Sequence, residues 1–117
     1  YLGYSMVEEQ VNLDEALSMI ERAADARPDS GAIIDSLGWV YFKLGQFNES
    51  LLFLRQAYDQ LQDPEVAAHL AEVYWVSNHK EEAKILLLEA RQLFPDHKLL
   101  NQLEQRFPEL KRKADTP

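Results

Sequence analysis

The sequence repeats its own pattern at an offset of about 33 residues. Tyr41 lies 33 positions before Tyr74, and Gly45 lies 33 positions before Asn78. Five more pairs keep this offset: Leu37 and Leu70, Gly38 and Ala71, Ser50 and Ala83, Leu54 and Leu87, Ala57 and Ala90. An earlier unit matches Ser50, Leu54 and Ala57 at an offset of 34, through Ala16, Ile20 and Ala23. A period of this length is typical of helical repeat arrays.

Apolar residues recur at helical spacing along the whole chain, and the few Gly and Pro residues fall between these segments. We predict helices at 1–10, 13–27, 30–44, 47–61, 64–77, 80–94 and 96–107. Because the connections are short, neighbouring helices should lie antiparallel. Gly and Asn both tolerate the left-handed conformation, so Gly45 and Asn78 should end helices.

Two helix starts carry clear capping signals. Asn12 can cap a helix, and Glu15 three residues later completes a capping-box pattern. Asp63 can cap the helix that begins at Pro64, where the missing N–H of proline costs nothing.

These repeated positions resemble the tetratricopeptide repeat (TPR), whose pattern is Trp-x2-Leu-Gly-x2-Tyr, then Ala-x3-Phe, then Pro. The middle unit reads Ile34-x2-Leu37-Gly38-x2-Tyr41 and then Ser50-x3-Leu54-x2-Ala57. The third unit reads Ala67-x2-Leu70-Ala71-x2-Tyr74, then Ala83-x3-Leu87-x2-Ala90, and closes with Pro95. The first unit keeps Leu2-Gly3, then Ala16-x3-Ile20-x2-Ala23 and Pro28. The departures are Ser50 at a small-residue position and Gln62 where proline is usual.

The resemblance implies an all-α fold, a right-handed helical solenoid of antiparallel helix pairs with about 2.5–3 repeats and a C-terminal capping helix. The predicted divisions are a partial first repeat at 1–28, a second at 31–63, a third at 64–97, a capping helix at 96–107 and a flexible tail at 108–117. The capping helix carries its apolar residues on one side: Leu99, Leu100, Leu103 and Phe107. The chain is also similar to the C-terminal repeats of multi-TPR proteins of Gram-negative bacteria, and we expect it to belong to a longer protein.

Three aromatic residues lie within four positions on one predicted helix, so they cannot all share a face. Tyr41 occupies a core position of the repeat, whereas Trp39 and Phe42 share another face. The first helices of TPR units face a concave groove, so the resemblance implies a partner-binding surface there. Its predicted residues are Asp35, Trp39, Phe42, Lys43, Glu72 and Trp75.

Some of these aromatic residues have a second interpretation. Because burial of an aromatic side chain removes about 150–250 Å² from water, Phe42 and Trp75 can instead serve as core. Trp39 should stay partly exposed, since its face does not fill the seam between units.

The resemblance implies a non-catalytic protein–protein interaction scaffold that binds a peptide or helix of a partner protein in its groove. TPR domains that bind chaperone tails by a carboxylate clamp use Lys, Arg and Asn at the inner positions. Since this sequence has Asp35, Trp39 and Glu72 there, we expect it to repel an acidic chain terminus. The alternative is a self-association module that forms homo-oligomers, and a remote alternative is a metal-binding or enzymatic domain.

Composition narrows the classes of function. A formal charge of −8 argues against nucleic-acid binding. No apolar run reaches about 18 residues, so we expect no direct membrane insertion by this segment. Without cysteine the chain has no thiolate ligand or nucleophile. We predict no cofactor, no catalytic residue and no metal site, although Glu65, His69 and Glu72 share a helix face. The bacterial resemblance suggests the envelope or periplasm, with the cytoplasm as the alternative.

Overall fold

The structure of the protein, a computed structural model, describes residues 12–111. Within that range there are six α-helices, one 3-10 helix and no strand. The helices are α1 (Leu13–Ala26), α2 (Gly31–Lys43), α3 (Phe47–Gln60), α4 (Pro64–Val76), α5 (Lys80–Leu93), α6 (Lys98–Arg106) and the 3-10 helix (Pro108–Lys111). Six of the predicted helices are therefore confirmed, with ends shifted by up to two residues. The predicted helix at 1–10 lies outside the described residues.

The chain divides into two compact units, and the boundary lies between Gln62 and Asp63. From here on, the first and second unit are these two compact units, each of which is longer than one sequence repeat. The first unit contains α1, α2 and α3, and the second contains α4, α5, α6 and the 3-10 helix. None of the helices between residues 12 and 111 is long and apolar enough to cross a membrane.

The predicted helix starts are confirmed. The Asn12 side chain accepts a hydrogen bond from the Glu15 amide at 3.2 Å, and its Nδ2 donates to the Glu15 carboxylate at 2.8 Å. The second contact differs from a capping box, in which the glutamate would accept from the backbone of the cap. The Asp63 carboxylate caps α4 by accepting from the Glu65 amide at 2.7 Å, and Pro64 is the first helical residue.

The predicted helix ends are confirmed as well. Gly45 has φ +80° and Asn78 has φ 69°, so both adopt the left-handed conformation. In each case the next backbone amide donates to a tyrosine carbonyl, at 2.9 Å for Tyr41 and at 2.7 Å for Tyr74. This bond belongs to the Schellman motif, which satisfies the free carbonyl groups at a helix end.

In the first unit, α2 packs between α1 and α3. A Cβ atom added to Gly38 would lie 2.7 Å from the Leu54 Cγ atom, so the two helices approach too closely for a larger residue. The Ser50 hydroxyl donates to the Gly38 carbonyl at 2.8 Å in the buried contact. Ser50 is therefore a small buried residue whose hydroxyl is satisfied, which explains how it replaces alanine there.

In the second unit, α4 packs against α5 and against α6. Leu100 and Leu103 of α6 are buried, and Arg91 on α5 forms an ion pair with Glu104 on α6. The α6 helix thus packs its apolar side against the second unit, and its role as the capping helix of the array stays a prediction.

The prediction of a flexible tail from residue 108 onward is wrong for its first four residues. Pro108–Lys111 form a 3-10 helix that packs against α5 and α6, and Leu110 is only 3% exposed. Burial of this leucine side chain stabilises the turn by about 1.5–3 kcal/mol relative to its exposure. Residues 112–117 lie outside the described range.

Candidate functional site

Each unit carries an aromatic cluster at the C-terminal end of one helix, which is α2 in the first unit and α4 in the second. In the first unit, the Trp39 and Phe42 ring centres are 4.9 Å apart, and the Phe47 ring centre lies 5.8 Å from that of Phe42. The Lys43 ammonium lies 5.2 Å from the centre of the Trp39 ring. We call these four residues the first-unit cluster.

Burial separates the members of the first-unit cluster. Trp39 is only 6% exposed, so the prediction that it stays partly exposed is wrong. The reason is that α2 packs against helices on two sides, which buries most of its circumference rather than one stripe. Phe42 and Lys43 are half-buried and present the remaining accessible surface of the cluster. Phe42 is thus neither fully core nor fully exposed.

In the second unit, a cleft of about 390 Å³ opens beside the end of α4. Its lining residues, which we call the second-unit cleft, are Trp75, Lys80, Arg106, Phe107, Pro108 and Glu109. The Lys80 ammonium lies 4.8 Å from the centre of the Trp75 ring, and the Phe107 ring centre lies 6.3 Å from it. The Arg106 guanidinium lies 5.1 Å from the centre of the Phe107 ring. Trp75 is half-buried, so part of its ring faces the cleft.

A forked ion pair joins α6 to α4 at the edge of this cleft. The two terminal nitrogens of Arg106 donate to the two carboxylate oxygens of Glu72, at 3.0 and 2.7 Å. The hydrogen bond to Glu72 raises the pKa of Arg106 above its usual value. The Glu72 side chain is 11% exposed, whereas that of Arg106 is 57% exposed. Glu72 is therefore a buried, neutralised carboxylate and not the open acidic position that the sequence predicted.

Two other polar residues are also buried, one from the predicted groove and one from the helix face considered for a metal. Asp35 is 5% exposed on α2, and His69 is 9% exposed on α4. Buried residues lie on most faces of both α2 and α4. Of the six predicted binding residues, the structure leaves Phe42, Lys43 and Trp75 partly accessible.

Of the six residues of the second-unit cleft, the predicted binding set contained only Trp75 and missed five: Lys80, Arg106, Phe107, Pro108 and Glu109. The repeat offset contained the signal for two of them. Lys80 lies 33 positions after Phe47, and Phe107 lies 33 positions after Tyr74. Extending the offset past residue 97 would have aligned α6 with the first helix of another unit. No comparable pattern marks Arg106, whose role depends on where its side chain points.

In the first unit, the Tyr41 side chain lies beside the Glu21 carboxylate. The Tyr41 hydroxyl donates to the Glu21 carboxylate at 3.3 Å, and its ring stacks on Phe53 with centres 5.5 Å apart. Burial, and after it the negative charge of Glu21, raises the pKa of Tyr41 above its ordinary value of 10.0. Tyr41 therefore stays protonated over the whole neutral range.

Known proteins with tetratricopeptide repeats share part of this sequence. Residues 33–64 match the tetratricopeptide repeat family. A TPR repeat-containing protein of Pseudomonas aeruginosa is 39% identical over 71 residues, which cover 61% of this chain and 12% of that protein. The chain contains a tetratricopeptide repeat. The chain spans about 12% of the length of the Pseudomonas relative.

Solved structures share the fold at low sequence identity. A TPR protein of Thermus thermophilus has a TM-score of 0.76 and 24% identity, and the match covers 92% of this TPR chain and 58% of that one. The type III secretion chaperone SycD of Yersinia enterocolitica, in complex with a peptide of the translocator YopD, has a TM-score of 0.77 and 15% identity. That match covers 93% of this chain and 83% of SycD. The predicted fold class, an all-α helical solenoid of TPR type, is confirmed. TPR domains are protein–protein interaction modules and are generally non-catalytic.

Proposed function

We propose that this TPR chain is a non-catalytic interaction scaffold that binds a peptide or helix of a partner protein. The observation that carries the proposal is the half-buried Trp75, whose ring borders an open cleft together with Phe107 instead of being closed into the core. Large aromatic side chains in desolvated pockets contribute most of the energy of many protein interfaces. The SycD structure, which holds a peptide of YopD, supports peptide binding by this fold.

The proposal assigns different roles to the six predicted binding residues. Phe42, Lys43 and Trp75 contact the partner, because their side chains keep accessible surface. The other three, Asp35, Trp39 and Glu72, are buried, and of these Trp39 packs against Phe42 with ring centres 4.9 Å apart. A buried residue of this kind affects binding only by holding its neighbours in place.

The test is capture of partner proteins from a bacterial lysate, with mass spectrometry as the readout. Trp75→Ala removes the proposed contact, and Leu88→Ala is the matched control, since Leu88 is 65% exposed on α5 and outside the cleft. Trp39 is unsuitable because truncation of this buried side chain costs about 3–5 kcal/mol. Circular dichroism and thermal melts confirm that both variants fold.

We expect a partner that the wild-type chain and Leu88→Ala retain and that Trp75→Ala loses. Equal capture by all three proteins would contradict a role for the cleft. Self-association stays a prediction, which sedimentation velocity over a range of protein concentrations tests.

A further inference from the structure

The second-unit cleft combines aromatic rings with a cation that no carboxylate of residues 12–111 neutralises. Among residues 12–111, the Lys80 ammonium contacts the Trp75 ring and forms no ion pair. An ammonium group has three donors. Donors that do not face the indole remain able to bind an acceptor from outside the chain.

The carboxylates around the cleft differ in their availability. Glu72 is bound by both terminal nitrogens of Arg106, so these two charges cancel locally. Glu109 lies on the rim, exposed and without an ion pair among the described residues. The rim is therefore attractive to an anion beside Lys80 and repulsive beside Glu109, in a chain whose formal charge is −8.

We propose that the second-unit cleft binds an internal peptide segment in which a large apolar side chain is flanked by Asp or Glu. The apolar side chain packs on the Trp75 and Phe107 rings, and the neighbouring carboxylate accepts hydrogen bonds from the Lys80 ammonium. This inference rests on the proposed function and specifies the chemistry of the partner. A volume of about 390 Å³ suits a few side chains rather than a whole domain.

The sequence led us to expect repulsion of an acidic chain terminus, whereas the proposed ligand is an internal acidic segment. That expectation treated Glu72 as an open negative charge in the groove. Because Arg106 binds it on both oxygens, its repulsion of an anion is largely cancelled, and Lys80 provides the uncompensated charge.

The test is a selection from a random octapeptide library that is N-acetylated and C-amidated, so that only side chains carry charge. We expect the wild-type chain to enrich peptides with Asp or Glu within two positions of Phe, Tyr, Trp, Leu or Ile. Two variants then change one charge each in the same cleft. Lys80→Gln should weaken binding of the selected peptides about two- to fivefold and reduce its salt dependence. Glu109→Gln should strengthen binding by a similar or smaller factor.

Each result decides the inference. Enrichment of apolar or basic peptides without acidic residues, with binding lost in Trp75→Ala, would overturn the inference and leave the proposed function intact. Equal effects of Lys80→Gln and Glu109→Gln would also overturn it, and so would selected acidic peptides that bind Trp75→Ala as tightly as wild type. No enrichment by the folded chain would contradict both the inference and peptide binding by this fold.

Discussion

The Lys80 ammonium lies 4.8 Å from the centre of the Trp75 ring. Lys80 and Trp75 occupy the repeat positions that Phe47 and Phe42 occupy one repeat earlier. The Phe47 and Phe42 ring centres are 5.8 Å apart. The same pair of positions therefore makes a ring–ring contact in the first unit and a cation–ring contact in the second. Both contacts hold the helix end to the start of the next helix, but only the second introduces a charge.

We predict that the Trp75 and Lys80 side chains couple energetically. In a double-mutant cycle of Trp75→Leu and Lys80→Gln, the coupling free energy should be about 0.5–1 kcal/mol, the range of an exposed cation–π contact. Urea unfolding of the four proteins measures it. The matched cycle in the first unit combines Phe42→Leu with Phe47→Leu. Because neither side chain is charged, the coupling free energy of this cycle should not depend on salt concentration. Additive effects of Trp75→Leu and Lys80→Gln would contradict the contact.

Removing Arg106 from the Glu72–Arg106 pair should lower the free energy of unfolding more than removing Glu72. Arg106→Gln leaves a buried carboxylate without its cation, so we expect a loss of unfolding free energy of about 1–3 kcal/mol. Glu72→Gln leaves no buried charge and releases an arginine that is already largely exposed, so its cost should be about 1 kcal/mol or less. Chemical denaturation of both variants gives the comparison. A larger cost for Glu72→Gln would show that the pair does not act in this way.

Gly38→Ala should destabilise the first unit although alanine is the better helix former. The new methyl group would lie 2.7 Å from the Leu54 Cγ atom, and such overpacking costs about 1–3 kcal/mol, against a gain in helix propensity of about 0.5–1 kcal/mol. We expect a net loss of about 1–2 kcal/mol in urea unfolding. In a Leu54→Ala background the two side-chain atoms closer than 3.0 Å are absent, but the backbone nitrogen of residue 54, at 3.2 Å, remains. Gly38→Ala should therefore cost clearly less in that background. The same cost in both backgrounds would refute the steric explanation.

Stability should depend on pH in the alkaline range through Tyr41. Because burial and Glu21 raise the pKa of Tyr41 in the folded state, the folded chain holds the phenolic proton more tightly than the unfolded chain. The contribution is fully present below pH 10 and is lost as the pH rises through the raised pKa. Difference titrations of phenolate absorbance, wild type against Tyr41→Phe, report this group alone. Glu21→Gln should lower the pKa of Tyr41, and an unchanged titration would contradict the assigned cause.

Much of the fold followed from the residue pattern, because it depends on local chemistry. Asn78 could be assigned to a helix end because few residues besides glycine adopt a left-handed backbone, and the structure gives it φ 69°. Gly38 could be placed at a close helix contact because it is small and because Ala71, one repeat later, is small as well. The exposure of Trp39 could not be predicted in this way. It depends on how many sides of α2 are covered, which periodicity within one helix does not record.

The sequence by itself determined the repeat, the helix boundaries and the positions where helices pack closely, because each of these depends on residues within one period of the chain. The tertiary structure alone decided the charge of the candidate site. It bound Glu72 to Arg106, which lies 34 residues further along, and it placed Lys80 on the Trp75 ring. Such pairings depend on side-chain directions across packed helices. Because of these directions, the candidate site presents an available cation, whereas the sequence had led us to expect an open acidic residue.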